Sequence, residues 1–152
     1  MSSLTNEVKT ALIGFLARRE HGAFELTQKL VAKGYEAHLV QSVLLDCQAL
    51  GLQSDSRFAA SFCRTRVAQG YGPLRILYEL QQKKIDLALI HQTLDEIDWM
   101  ASALLVWQKK NSKHPPQSWQ EMQKHKQFMM YRGFTKATIL ACERWFEEQE
   151  QG

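Results

Sequence analysis

The residues that could carry catalytic or metal chemistry do not assemble into a recognisable set. His21, His38, His91, His114 and His125 never stand three or four places from another histidine or a cysteine. Metal ligands on one helix face need that spacing, so no metal site is expected. Cys47, Cys63 and Cys142 are odd in number, widely separated and without a C-x-x-C. This argues against a disulfide framework and points to a reducing compartment. Asp95, Glu96 and Asp98 form an acidic cluster, but no nucleophile or histidine joins it at a useful interval. Gly70-Tyr71-Gly72 superficially suggests a phosphate-cradling loop. Arg75 occupies the place of the third glycine, and no strand-like run precedes it. A Gly-Lys-Ser/Thr is absent too. Gly70 instead reads as a helix stop, and Pro73 suits the first turn of the next helix, where its missing N–H loses no partner. Neither an enzyme nor a cofactor is implied.

The cations are more informative. Net charge is only +3, but it is unevenly spread. Arg57, Arg64, Arg66, Arg75, Lys83 and Lys84 share their stretch with one acid, Glu79. Residues 85–108 carry acids and no base, and a second basic block follows from Lys109 to Lys136. Such blocks attract polyanions or acidic protein surfaces. Arg57, Arg66, Arg75 and Lys83 are the leading candidates for contact with a partner, with Arg64 and Lys84 beside them. Tyr71 could stack on a base, although packing on its own neighbouring helix is the favoured reading. Lys109, Lys110, Lys113, Lys124 and Lys126 flank a Pro-Pro turn and form a secondary patch with Arg132. Each cation also has a structural reading. Arg57 could bond Asp55 or a helix end, Arg75 could pair with Glu79 four residues on, and Arg132 suits a helix C-terminus. On the contact reading, charge reversal of Arg66 and Arg75 is expected to spare stability and to weaken partner binding.

These residues must be positioned by helices. Val8, Ala11, Leu12, Phe15 and Leu16 recur at helical spacing, as do Leu39, Val40, Val43, Leu44 and Cys47. Phe24, Leu26, Leu30 and Val31 follow the pattern less cleanly. Gly34, Gly51 and Gly133 read as stops, and no run alternates as a strand would. Ser54 or Asp55, Thr135, and Ser118 with Glu121 supply caps. Asn111 to Gln117 reads as a linker. Phe58 and Phe62 are expected in the core, and Trp99, Trp107, Trp119 and Trp145 between helices. No segment reaches the ~18 apolar residues of a membrane span, and the N-terminus lacks a basic stretch before its short apolar run. A cytoplasmic protein is expected. Shifting residues 24–51 by about 50, and again by about 49, superimposes the apolar pattern three times. Three helix trios follow, at residues 1–53, 54–98 and 99–152.

Asp55-Ser56-Arg57-Phe58-Ala59, Phe62, Arg66, Gly70-Tyr71-Gly72-Pro73, Arg75-Ile76, Glu79-Leu80 and Lys83 resemble the RecX family of bacterial regulators of the RecA recombinase. Arg19, His21, Glu25-Leu26, Lys29-Leu30 and Lys33-Gly34 agree in the first trio. Phe128, Tyr131-Arg132-Gly133-Phe134 and Ile139 agree in the third. The resemblance implies an all-α fold, an elongated curved array of three tandem three-helix repeats. It implies a monomer that lodges in the RecA–DNA filament, with single- or double-stranded DNA as a further contact. Inhibition of ATP hydrolysis, strand exchange and filament growth would follow, in homologous recombination, DNA repair and the SOS response. Two positions depart from the family. Gly22 stands where serine is usual, weakening a cap, and Lys84 where glycine is usual, forcing a strained φ or a different turn. A stand-alone helical nucleic-acid-binding protein is the competing reading.

Overall fold

The structure, a computed structural model, describes residues 2–151. Among these it consists of nine helices and no strand. They are α1 (Ser3–Leu16), α2 (Ala23–Ala32), α3 (Ala37–Ala49), α4 (Asp55–Ala68), α5 (Pro73–Gln82), α6 (Leu87–Asp95), α7 (Trp99–Lys113), α8 (Trp119–Tyr131) and α9 (Lys136–Gln151). They form two compact units. Met1–Phe62 and Leu80–Ile90 make the first; Cys63–Glu79 and His91–Gly152 make the second.

One local turn recurs in each trio and explains the threefold pattern. The amides of Tyr35, Ile85 and Phe134 donate to the carbonyls of Leu30, Leu80 and Met129 at 3.3, 3.2 and 3.2 Å. The residue before each amide lies in the left-handed region: Gly34 at φ 101°, Lys84 at 58° and Gly133 at 97°. This is the helix-terminating motif in which a positive φ lets two amides reach back to orphan carbonyls. Lys84 does adopt the left-handed backbone, at a cost of about 1–2 kcal/mol relative to glycine.

In the first unit, Val8, Leu12, Leu26, Leu30, Val40, Val43, Leu44 and Cys47 form a closed core. Phe24 and Val31 do not join it; both are exposed, so the buried stripe of α2 is narrower than the periodicity suggests. Gly22 caps α2 without a side-chain bond. The missing acceptor is supplied from α4. Asp55 Oδ1 accepts from the Ala23 amide at 2.8 Å and from Gln53 Nε2 at 2.9 Å. Ser54, not Asp55, caps α4 itself, accepting from the Arg57 amide at 3.1 Å. Asp55→Ala is therefore expected to lower stability by about 1–2 kcal/mol through a helix it does not belong to. Thermal unfolding monitored by circular dichroism checks this; an unshifted midpoint would mean water replaces the carboxylate without loss.

In the second unit, Ala103, Trp107, Met129, Phe134, Ile139 and Cys142 form the core. Trp107 is fully buried, whereas Trp119 is 72% exposed and cements nothing. Trp99 is half-buried and donates to the Leu94 carbonyl at 3.0 Å. In the first unit Phe62 is likewise only half-buried, unlike Phe58. The expected linker is shorter than its composition implies, because α7 continues through Asn111, Ser112 and Lys113. Proline restricts the residue immediately before it, and His114 leaves the helical region at φ −142°, ψ 75°. Ser118 caps α8 by accepting from the Glu121 amide at 3.1 Å. The Glu121 carboxylate returns to the amide of Gln117 rather than Ser118, so the capping box is displaced by one residue. Thr135 caps α9 as its position suggests.

Candidate partner-binding site

Arg66, Tyr71, Arg75 and Glu79 of the central motif join Arg132 in an arginine cluster on Tyr71 that lies within the second unit. Gly70, at φ 88°, ends α4, and Tyr71 follows it in the turn before α5. The guanidinium carbons of Arg75, Arg132 and Arg66 stand 4.1, 4.8 and 5.4 Å from the tyrosine ring centroid. Tyr71 thus packs on its own neighbouring helices, as expected, through the cations of Arg66 on α4 and Arg75 on α5. Contacts of this type are worth about 0.5–1 kcal/mol each where exposed.

Glu79 organises the cluster. Its carboxylate accepts from Arg66 Nη2 at 2.5 Å and from Arg75 Nε at 3.4 Å. Arg66 also donates to the Gln69 side chain at 2.9 Å. The Arg75 pair is the expected i,i+4 bridge. The Arg66 pair spans thirteen residues and is not visible in the spacing. Arg132 donates through Nη1 to the Gln69 carbonyl at 3.0 Å, covering an orphan acceptor at the end of α4. Three guanidiniums therefore surround Tyr71 while the one carboxylate pairs with two of them, and the cluster remains cationic. It also corrects the expectation that reversing Arg66 and Arg75 would spare stability. Both reversals would place carboxylates against Glu79.

Backbone contact seats the cluster. The Gly72 amide donates to the Arg132 carbonyl at 2.6 Å, and the Leu74 amide to that of Gly133 at 2.9 Å. A Cβ on Gly72 would lie 2.5 Å from the Gly133 carbonyl carbon. Gly72 is thus more than punctuation; it permits one turn to lie directly on another.

The other candidates are distributed differently. Arg57, in the first unit, pairs with Glu20 at 3.1 Å and donates to the Gly51 carbonyl at 2.9 Å. It closes the end of α3 and does not bond Asp55. Lys83 lies over Phe58 and Phe62 at 5.8 and 5.6 Å, and Lys84 occupies the strained turn. Arg64 is exposed on α4. In the second patch, Lys109 and Lys124 are exposed, and Lys110 stands 4.5 Å over Phe128. Lys126 pairs with Glu143 at 3.2 Å and ties α8 to α9, so it is a structural cation.

The first unit carries an ionic cluster around His21 that sequence reasoning did not assemble. Glu25 binds Arg19 at 2.6 Å and Lys29 at 3.6 Å. Burial pushes its carboxyl up, but the Arg19 bond and the neighbouring charges win and hold it at about 2. His21 sits between the Arg19 carbonyl at 3.0 Å and Lys29 Nζ at 2.9 Å. Lys29 can only donate, so His21 is neutral, with its proton on Nδ1. Burial lowers the affinity of His21 for a second proton, and burial and then Lys110 do the same for His125. His125 lies face-near Trp107, with ring centroids 4.1 Å apart.

A pH dependence follows. A histidine with a lowered folded pKa contributes stability that is present above about pH 6.5 and lost as pH falls through the folded value. Glu25 adds a second loss between about pH 4.5 and 2. The melting temperature is expected to decline as pH falls below about 6.5, and His125→Phe to flatten that decline. An identical slope in the variant would remove His125 from the effect.

Among the described residues no group of histidine, cysteine or acidic side chains could hold a metal, and no helix is long and apolar enough to cross a membrane. What remains is an all-helical protein of three-helix domains whose prominent polar cluster pairs ions and stacks cations on tyrosine. The chain matches three family descriptions in succession: the RecX first three-helix domain over residues 9–47, the second over 54–94 and the third over 96–142. It is 44% identical over 126 residues to regulatory protein RecX of Legionella pneumophila strain Corby, covering 82% of this chain and 84% of that protein. It is 40% identical over 134 residues to regulatory protein RecX of Pseudomonas entomophila strain L48, covering 87% and 86%. The crystal structure of RecX from Lactobacillus salivarius superposes with a TM-score of 0.84 at 19% identity, covering 94% of this chain and 96% of that one. The chain belongs to the RecX family of regulatory proteins.

Proposed function

We propose that this protein is a negative regulator of the RecA recombinase. It binds RecA–DNA filaments and inhibits ATP hydrolysis, strand exchange and filament growth. It acts without catalysis of its own, as a cytoplasmic monomer, through repeats bounded near residues 53 and 98. Family membership supports regulation as the activity. The observation that carries the binding mode is the cluster of Arg66, Arg75 and Arg132 on Tyr71. Its excess positive charge, with Arg75 43% exposed, suits the acidic groups of a nucleoprotein filament.

Single-stranded-DNA-dependent ATP hydrolysis by the cognate RecA, titrated with this protein, tests the proposal. Inhibition is expected well below one molecule per RecA, as blocked growth requires. No inhibition, or inhibition only once the protein coats the DNA, would overturn it. DNA binding without RecA that falls steeply with salt would favour a stand-alone nucleic-acid-binding protein.

A further inference from the structure

Beside the arginine cluster, α7 presents a stripe whose character changes along its length. Ala101, Leu105, Lys109 and Lys113 recur every fourth residue and so share one face. Ala101 and Leu105 are exposed, Leu105 by 69%. The stripe borders a groove of about 700 Å³ in the second unit. Its lining brings together the apolar Val67, Ile97, Leu105 and Val106 and the cationic Lys109, Lys110, Lys113 and Arg132. The one carboxylate in the lining, Asp98, already accepts from the Ala101 amide at 3.0 Å as the cap of α7.

Helix-end electrostatics account for lysines in the last turn of α7. They do not account for an uncovered leucine two turns earlier, directly in line with them. Among the described residues no carboxylate lies within ion-pair distance of Lys109, Lys110 or Lys113. These lysines are therefore free of ion pairs, and the lining carries four cations against the single carboxylate of Asp98. The groove is also a poor platform for bases. Its lining holds one phenyl ring, Phe128, and Lys110 and Arg132 already stand over it at 4.5 and 5.1 Å. Single-strand binding sites need open aromatic faces on which bases stack. A lining that is part apolar and part cationic instead matches a helix with leucine-type anchors on one face and carboxylates beside them.

We propose that this groove docks an acidic amphipathic helical segment of a protein partner. The apolar face of the segment lies on Leu105 and Val106, and its carboxylates meet Lys109, Lys113 and Arg132. The inference rests on the preceding section only in taking the partner to be a protein.

The probe is a fluorescent amphipathic peptide with leucines on one face and glutamates on the other, measured by anisotropy at physiological salt. Leu105→Glu places a charge on an exposed position and is expected to fold, with an unchanged melting temperature as the check. It should weaken peptide binding roughly tenfold or more. Replacing the peptide leucines by serine should have a similar effect, and oligo(dT) should not displace the peptide. Absence of binding, equal binding to Leu105→Glu, equal binding of the serine peptide, or displacement by oligo(dT) would each overturn the proposal. The ATP hydrolysis titration separates the two readings. Inhibition of RecA by a protein that ignores the peptide sinks the groove alone. Leu105-dependent peptide binding without inhibition sinks the RecA reading alone.

Discussion

Gly133→Ala is expected to destabilise the protein by about 2–5 kcal/mol, or roughly 5–15 °C in melting temperature. Two separate effects combine there. Gly133 has φ 97°, which costs an L-residue about 1–2 kcal/mol. Its added Cβ would also lie 2.6 Å from the Arg75 Cβ and 2.7 Å from the Arg75 nitrogen. Backbone cannot swing aside as a side chain does, so overpacking adds about 1–3 kcal/mol. Two further glycines separate the effects. Gly34 has φ 101° but nothing within 4 Å of its added Cβ, so Gly34→Ala carries the backbone term alone. Gly72 is not in the left-handed region but meets the Gly133 backbone, so Gly72→Ala carries the clash alone. Gly133→Ala should therefore be the worst of the three. Because both contacts belong to one turn-on-turn interface, Gly72→Ala and Gly133→Ala should be less than additive. Equal melting temperatures for Gly34→Ala and Gly133→Ala would show that the interface relaxes freely and does not seat the arginine cluster.

The second large effect concerns charge. Under the RecA regulation proposed above, Arg66→Glu with Arg75→Glu should raise the concentration needed for inhibition by roughly tenfold or more. The same double variant should lose about 1–2 kcal/mol of stability, because Glu79 would face two carboxylates at ion-pair distance. A loss of inhibition alone would then be ambiguous. Adding Glu79→Arg restores opposite charges across both bridges while keeping the local sign inverted. The triple variant should regain most of the lost melting temperature, short of the Arg75–Tyr71 stacking, and still fail to inhibit. A triple variant that regains both stability and full inhibition would remove Arg66 and Arg75 from partner recognition and leave them as structural residues.

What was legible in the sequence was local in origin. A helix face repeats every three or four residues, and a positive-φ stop needs only the turn that contains it. The apolar stripes of α1 and α3, the stops at Gly34, Gly51, Gly70 and Gly133, and the caps at Ser118 and Thr135 are signals of that kind. They sufficed for the all-helical fold and the threefold unit. The Arg75–Glu79 bridge was legible for the same reason, since one helical turn joins its partners.

The assembly of the site was not local. Arg66 reaches Glu79 thirteen residues on, Asp55 caps a helix thirty-two residues back, and Arg132 bonds a carbonyl sixty-three residues away. Which arginine stays available and which holds a helix end depends on packing between segments, and side-chain type does not encode it. Arg57 and Arg75 look equivalent in the sequence; one closes α3 while the other lies against Tyr71. By itself the sequence determined the helices, their stops and their threefold recurrence, because each arises from interactions within a turn or two of chain. Only the tertiary structure decided that Gly72 must be glycine, that Glu79 gathers the arginines and that Leu105 faces an open groove, because each depends on a neighbour distant in sequence.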